Sequence, residues 1–250
     1  MFTVVTINLH GRRERWRERR PLLIAQLLGI VPDIICLQEV HLSTGQGRWV
    51  KTQLNERLAV QEDETPYQLV QKRGDFLSSK GVAILTRLPI VSHDALPLAH
   101  SSQIALRVNV ELPSRQTVDV VSTQLHPTPH AIETRAEQVA AIMGWLRANR
   151  RTRLQIVAGD FNEMPDGLAI RRMKDGYRSA YEVINGYEPL ATYPTAVLSE
   201  NETAVCRDYI FLSPAIKRVQ SASICCHKPA DTDSRLYPST HVGLFTKCRI

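Results

Sequence analysis

Short runs of apolar and β-branched residues, several of them alternating with polar residues, recur along the chain and predict a fold built largely on strands. The first run, FTVVTIN, ends on Asn8, and the run LQIVAG stops just before Asp160. Two neighbouring runs joined by a Pro-Ser turn have the pattern of an antiparallel hairpin. The predicted strands cover residues 2–8, 33–40, 66–70, 81–86, 90–98, 104–112, 117–125, 154–159, 208–212, 216–225 and 242–250.

Apolar residues at three- and four-residue spacings predict helices between some of these strands. The stripe of the first helix includes Trp16, Leu23 and Leu27, and most of the arginines between residues 12 and 20 are expected on its solvated face. The predicted helices cover residues 12–30, 49–58, 131–149 and 168–174, followed by a loop-rich region to residue 202. Because several strands follow one another without a helix, a purely parallel sheet is disfavoured. We expect one domain over residues 1–250.

Polar residues of catalytic types stand where the predicted strands end or begin. In LQIVAGDFNEMP, Asp160 and Asn162 follow the apolar run two positions apart, and in extended backbone both side chains would share one face. Gly159 allows another backbone segment to approach closely. The alternative is a polar strand exit closed by an Asx turn. Other residues of this kind are Asn8, Glu39, Gln124, His126, Asp208 and His241.

These residue types suit the hydrolysis of a phosphate ester. Glu39, with Asn8, can hold Mg²⁺, a hard cation that binds oxygen ligands and keeps several waters, and Mn²⁺ is a second candidate. Asp160 can orient or deprotonate the attacking water, while His241 held by Asp208 can act as acid or base. No Ser or Cys stands in a nucleophile motif, which predicts direct attack by water. The amide donors available to phosphoryl oxygens are those of Asn8, Asn162 and Gln124.

Composition and charge bear on partners and compartment. With 43% hydrophobic and 22% charged residues, the chain has an ordinary globular composition. It contains no run of about 18 apolar residues that would predict a membrane span, and its first residues have the pattern of a strand, not of a signal peptide. The net charge of +6 and the pI near 9.2 fit a polyanionic partner, either nucleic acid or an anionic lipid surface. The five cysteines lack paired spacing and are expected to be reduced thiols in a cytoplasmic protein.

Seven short motifs carry a resemblance that runs nearly from end to end. They occur in the order TINLHG, PDIICLQEV, GVAILTRLPI, STQLHP, VAGDFNEMP, RDYIFLSP and YPSTHVGL. In this order they resemble the endonuclease/exonuclease/phosphatase superfamily, which contains deoxyribonuclease I. The resemblance implies a four-layer α/β/β/α sandwich of two mixed β-sheets packed face to face with flanking helices. It also implies a Mg²⁺-dependent phosphodiesterase or phosphatase site at one edge of the sandwich.

Two positions depart from the family pattern. Gln124 stands where several branches have a histidine, although an amide can still donate a hydrogen bond to a phosphate oxygen. His126, two residues further on, would lie on the same strand face and substitute in part. Thr240 stands where an aspartate usually precedes the last histidine, and the lost charge is expected to lower metal affinity or the basicity of the histidine. A weakened enzyme and a degenerate member that binds nucleic acid without cutting it are both open.

The expected substrate follows from basic residues beside the predicted site. Arg12 and Arg13 come soon after Asn8 and would favour a nucleic-acid backbone, and Trp16 and Trp49 are candidates for stacking on bases. One hypothesis is therefore an endonuclease, exonuclease or DNA-end-processing phosphodiesterase. Another is a lipid or small-molecule phosphodiesterase or phosphatase of the sphingomyelinase or phosphoinositide type. The ending YPSTHVGL is most similar to tyrosyl-DNA phosphodiesterases and sphingomyelinases, and we expect a monomer.

Overall fold

The computed structural model describes residues 1–60, 65–75, 77–100, 102–198 and 203–250, and within them the chain forms two six-stranded β-sheets and five helices. The strands are β1 (Phe2–Asn8), β2 (Ile34–His41), β3 (Gln68–Lys72), β4 (Lys80–Thr86), β5 (Ile90–Pro97), β6 (Ile104–Glu111), β7 (Thr117–Gln124), β8 (Gln155–Asp160), β9 (Arg178–Ser179), β10 (Asp208–Leu212), β11 (Arg218–Cys225) and β12 (Gly243–Arg249). The helices are α1 (Trp16–Leu28), α2 (Gln46–Val60), α3 (Ile132–Ala148), α4 (Leu168–Lys174) and α5 (Ala180–Asn185).

Both sheets are mixed, and each has one parallel pair of strands near its centre. The strand order is β11-β12-β1-β2-β4-β3 in the first sheet and β5-β6-β7-β8-β10-β9 in the second. β1 runs parallel to β2, β7 runs parallel to β8, and the other neighbours are antiparallel. Parallel neighbours require a crossover connection, which contains α1 in the first sheet and α3 in the second.

Three apolar clusters separate four layers. Successive side chains of a strand point to opposite faces, and in β1 Val4 packs between the two sheets while Val5 packs beneath α1 and α2. A third cluster packs α3 and α4 on the other sheet, where Val139 and Met173 join Phe211. The α/β/β/α sandwich of two mixed sheets with flanking helices is thereby confirmed.

A buried arginine shortens the first helix relative to the prediction. The guanidinium of Arg19, which has no exposed surface, hydrogen-bonds four main-chain carbonyl groups. These are the carbonyls of Leu9, Arg13, Glu14 and Pro238. Three of them precede the helix, and two of these three belong to residues 12–15, which form a loop, so that α1 begins at Trp16 and not at residue 12. Glu14 and Arg15 have left-handed backbone, with φ of 40° and 58°. Arg19 is thus an exception to the solvated face predicted for most arginines of this segment.

The region expected to be a loop after α4 contains two short elements. β9 adds two residues to the edge of the second sheet, and α5 follows directly. Ser179 caps α5, since its side-chain oxygen accepts a hydrogen bond from the backbone nitrogen of Glu182. Elements this short show no usable periodicity, so the prediction missed them. Residues 199–202 of the predicted loop lie outside the described residues.

All five cysteines are free and buried. Among the described helices, none has the length and apolar character needed to cross a lipid bilayer.

The close approach of β7 and β8 supplies a stability prediction. A Cβ atom added at Gly159 would lie 1.9 Å from the carbonyl oxygen of Thr123, so the two strands have no room for a side chain there. We expect Gly159→Ala to lower the free energy of unfolding by about 3 kcal/mol or more, because the backbone of β7 must move. Urea unfolding followed by circular dichroism measures the change.

Gly144 provides the matched control. It lies on the exposed side of α3, and an added Cβ would meet no atom within 4 Å. Gly144→Ala should therefore raise the free energy of unfolding by about 0.5–1 kcal/mol. A Gly159→Ala protein as stable as the wild type would show that β7 and β8 are not this close.

Candidate active site

Asp160 lies at the centre of a group of polar side chains at one edge of the sandwich. It ends β8 and is 1% exposed. Its Oδ2 atom accepts hydrogen bonds from Asn8 Nδ2 at 2.9 Å and Gln124 Nε2 at 3.3 Å, and its Oδ1 atom accepts one from the backbone nitrogen of Asn162 at 3.0 Å. Burial raises the pKa of Asp160 to about 6, and the nearby charge of Asp208 acts in the same direction.

Asp208 and His241 form a buried hydrogen-bonded pair beside this aspartate. Asp208 begins β10, which is antiparallel to β8, so that Asp208 lies opposite Asp160. His241 Nδ1 lies 2.8 Å from Asp208 Oδ2. Burial by itself lowers the pKa of His241, but the carboxylates of Asp208, Asp160 and Glu39 outweigh it, and the net shift is upward. With Nδ1 bonded to a carboxylate, Nε2 is the ring nitrogen that can exchange a proton with a substrate.

An aromatic ring packs against this histidine. The ring centroid of Tyr193 lies 4.8 Å from that of His241, and the guanidinium of Arg207 lies 4.3 Å from the Tyr193 ring centroid. Packing of this kind restricts rotation of the imidazole and supports its bond to Asp208.

Glu39 reaches the site through an irregularity in β2. The pairing of β2 with β4 shifts between Leu37 and Val40, and Glu39 has a φ of 51°. One carboxylate oxygen contacts the ammonium of Lys80, and the other accepts from Gln124 Nε2 at 3.0 Å. Burial opposes ionisation, but Lys80, Gln124 and His10 outweigh it and lower the pKa of Glu39 to about 2.

Asn8 and Gln124 are bonded to other members of the site. Asn8 donates to Asp160, and its Oδ1 atom accepts from the backbone nitrogen of His10 at 2.8 Å. Gln124 directs its amide nitrogen at both Glu39 and Asp160. An amide nitrogen carries two hydrogens. Gln124 therefore uses one hydrogen for each of the two carboxylates. In this arrangement Asn8 and Gln124 orient the acidic groups.

The residues present fit a divalent cation. Ligand atoms of Asp160, Asp208 and His241 all lie within 4.8 Å of one another. Asp208 Oδ1 is buried and has no hydrogen-bond partner among the described residues. Two carboxylates suit Mg²⁺ or Mn²⁺, whereas an imidazole suits Mn²⁺ better than Mg²⁺. The sequence predicted a metal on Glu39 and Asn8. Glu39 adjoins this group, because it shares the amide of Gln124 with Asp160.

Two predicted residues are not placed as the strand geometry implied. β8 ends at Asp160, and Asn162 has a φ of 49° and donates from Nδ2 to the carbonyl oxygen of Leu125 at 3.0 Å. The expectation of one shared strand face is therefore wrong, and the Asx turn is present. β7 ends at Gln124, and His126 Nδ1 accepts from the backbone nitrogen of Thr128 at 3.2 Å. The same-face argument for His126 fails for the same reason.

The basic residues lie on the loop that follows β1. Arg12 and Arg13 are exposed. Arg12 lines an open groove of about 460 Å³, whose other lining residues include Arg17, His41 and Thr44. Trp16 is only 5% exposed and packs edge-on against Trp49 with ring centroids 5.8 Å apart. Stacking of a base on Trp16 is therefore excluded in this conformation. The guanidinium of Arg20 lies 4.8 Å from the Trp49 ring centroid.

Sequence reasoning missed three residues that shape the site. Arg19 occupies the apolar stripe, three residues after Trp16 and four before Leu23, and this position was the available signal. Lys80 directly precedes the predicted strand GVAILT, but its contact with Glu39 depends on the register of β2 and β4. Tyr193 lies in the region predicted as a loop and gave no signal.

A family profile matches most of the sequence and agrees with the geometry of this site. The profile of the Endonuclease/Exonuclease/phosphatase family matches residues 5–241. The chain belongs to the endonuclease/exonuclease/phosphatase family. Family membership, together with the buried group of Asp160, Asp208 and His241, indicates a metal-dependent hydrolase of phosphate esters.

Solved structures share the fold of this family member. The human nocturnin catalytic domain with a bound sulfate anion has a TM-score of 0.78 at 21% identity, and the match covers 99% of this chain and 93% of that one. The mannosyl-6-phosphatase of Bacteroides thetaiotaomicron has a TM-score of 0.80 at 18% identity, with 100% of both chains covered. Truncated TDP2 from Caenorhabditis elegans has a TM-score of 0.75 at 15% identity, covering 100% of this chain and 97% of that one. No curated protein matches the chain by sequence.

Arg19 should be essential for the stability of the site loops. Its carbonyl partners include Leu9, next to Asn8, and Pro238, three residues before His241. We expect Arg19→Met to lower the free energy of unfolding by about 3 kcal/mol, because buried carbonyl groups lose their donors. Arg19→Lys should recover only part of this loss, since an ammonium has fewer donors and no planar fork. Urea unfolding measures both.

Arg17→Met is the control on the same helix. Arg17 is exposed, and its removal should change the free energy of unfolding by no more than about 0.5 kcal/mol. Equal losses in Arg17→Met and Arg19→Met would contradict the anchoring role.

Proposed function

We propose that the protein hydrolyses phosphodiester bonds of nucleic acid by direct attack of water in a metal-dependent reaction. The observation that carries the chemistry is the convergence of Asp160 with the Asp208–His241 pair at one buried point. The basic net charge and the exposed Arg12 and Arg13 support a polyanionic substrate.

The proposed division of roles follows from the hydrogen bonds. A divalent cation held by Asp208 and Glu39, beside Asp160, would offset the charge that develops on the phosphoryl oxygens. Asp160 orients the attacking water and accepts its proton, since burial and the nearby charge of Asp208 make this carboxylate more basic than an exposed aspartate. His241, whose Nδ1 is held by Asp208, donates a proton from Nε2 to the leaving oxygen.

The neutral Thr240, which precedes His241, leaves the Asp208–His241 pair intact. Thr240 is buried, and its carbonyl oxygen accepts from the backbone nitrogen of Thr195 at 2.8 Å. Its Oγ1 atom has no hydrogen-bond partner among the described residues. The Asp208–His241 bond is made despite the missing carboxylate, which favours a weakened enzyme over a purely binding protein.

A small-molecule phosphatase is the second candidate. A cleft of about 160 Å³ adjoins Glu39 and Gln124, and Ser78, Ser102 and Gln103 are among its other lining residues. Its size and polar groups suit a compact hydroxylated group such as a sugar. The structural likeness to a mannosyl-6-phosphatase supports the same candidate.

Hydrolysis assays test the chemistry and separate the two candidates. Wild-type protein is assayed with fluorescent single-stranded and duplex DNA, bis-p-nitrophenyl phosphate and mannose 6-phosphate, in Mg²⁺, Mn²⁺ or chelator. We expect metal-dependent cleavage of DNA, with kcat reduced about 10²–10⁴-fold in Asp160→Asn and in His241→Gln. Asp231→Asn removes an exposed carboxylate and serves as the control. Turnover of mannose 6-phosphate alone would select the second candidate, and turnover unaffected by Asp160→Asn would refute the assigned site.

The two exposed arginines test the nucleic-acid interface. Arg12→Gln combined with Arg13→Gln should weaken binding of a fluorescent oligonucleotide and reduce the slope of log Kd against log salt concentration by about one per arginine that contacts phosphate. Fluorescence anisotropy in chelator measures the affinity without cleavage. Arg115→Gln removes one positive charge at the distant β6–β7 turn, as each of the two substitutions does beside the site, and should leave the slope unchanged. An unchanged slope in the double variant would place the interface elsewhere.

A further inference from the structure

Both carboxylate oxygens of Glu39 have partners within the chain. One contacts the ammonium of Lys80, and the other accepts from Gln124 Nε2 at 3.0 Å. The side chains of Lys80 and Glu39 are 29% and 17% exposed, so water competes only in part for this pair. A cation that binds the first oxygen must displace Lys80. A cation that binds the second oxygen must displace the Gln124 amide, and it is repelled by the ammonium as long as Lys80 stays on Glu39.

The local backbone builds this lysine into the site. Lys80 is the first residue of β4 and pairs with His41 beyond the irregularity that turns Glu39. Gly11 covers the end of its aliphatic chain, since a Cβ atom added there would lie 3.2 Å from Lys80 Cε. Gly11 has a left-handed φ of 56°, which favours glycine at this contact. Lys80 is thus held beside Glu39 by two separate segments of the chain.

A place exists for the ammonium once it leaves Glu39. Lys80 also lines the polar cleft of about 160 Å³ that contains Ser78, Ser102 and Gln103. An ammonium on a flexible stem can turn between neighbouring anions without a change of backbone. The anion expected in this cleft is a phosphate group of the substrate, because Lys80 and a cation held by Glu39 would both stand at its edge.

We propose that Lys80 couples metal binding to phosphate binding, neutralising Glu39 in the free protein and turning to the phosphate when a divalent cation takes Glu39. This inference rests on the proposed function for the metal at Glu39, and goes beyond it by naming the residue that links the two ligands. Each ligand then strengthens the binding of the other by the same factor. The coupling also delays tight metal binding until an anionic substrate is present.

Calorimetric titration of Mg²⁺ into the protein, with and without inorganic phosphate, tests the coupling. In the wild type, phosphate should tighten Mg²⁺ binding at least fivefold. In Lys80→Met, Mg²⁺ alone should bind at least fivefold tighter than to the wild type, because its competitor is gone, and phosphate should add little. Lys72→Met removes an exposed lysine from the neighbouring strand β3 and should behave like the wild type.

A second variant tests the same exchange from the other side. Glu39→Gln frees Lys80, so phosphate titrated in chelator should bind this variant at least fivefold tighter than the wild type. If Lys80→Met does not fold, this measurement decides by itself. A wild type that hydrolyses DNA and binds Mg²⁺ with no effect of phosphate overturns the coupling alone. A wild type that neither binds Mg²⁺ nor hydrolyses any substrate overturns the proposed function with it.

Discussion

The hydrogen bond from Asn8 to Asp160 joins the two sheets at the point where the site forms. Asn8 ends β1 in the first sheet, and Asp160 ends β8 in the second. Apolar packing between the sheets is not directional, so contacts of this kind are needed to select one placement. Gln124 reaches Glu39 and Gln38 reaches Ser122 across the same interface, at 3.0 and 3.1 Å. Because a buried polar group without a partner is costly, a shifted sandwich would lose several hydrogen bonds together. The site therefore depends on the registration of the sheets.

The strand directions explain which residues arrive at this edge. In each sheet the central pair is parallel, so β1 with β2 and β7 with β8 end side by side. Open α/β sheets bind ligands beyond the carboxyl ends of such strands. β10 runs the opposite way beside β8, and it contributes the residue at its start, Asp208, to the same edge. The last residue of a strand and the first residue of its antiparallel neighbour thus lie at the same edge of the sheet.

The sequence predicted correctly the features that follow from the period of apolar residues, and it missed those that depend on where strands end and how they pair. The apolar run that contains Val4 and Val5 predicted a strand, and the two side chains pack in different apolar clusters on its two faces. The polar residues predicted at strand ends include Asp160, Asp208 and His241, which the structure brings together. Asn162 and His126 were misplaced because each strand ends two residues earlier than the same-face argument requires. Lys80 was missed because the register of β2 and β4 brings it to Glu39, and no local pattern encodes that register. Arg19 gave a local signal by its position in the apolar stripe, but its bond to the carbonyl of Pro238 depends on a distant part of the chain.

Thr240 and Lys80 both make this site less negative than a site that has an aspartate in place of Thr240. Thr240 leaves three carboxylates, those of Glu39, Asp160 and Asp208, and the ammonium of Lys80 offsets the first of them. These carboxylates outweigh the effect of burial and raise the pKa of His241, which favours its protonated form beside them. The attraction for a divalent cation is therefore weaker than the number of acids suggests. An anion that draws Lys80 away restores the negative charge of Glu39 without adding any residue. In such a site a neutral threonine need not abolish metal binding. With Thr240 at this position, tight binding of the metal depends on the substrate as well as on the protein.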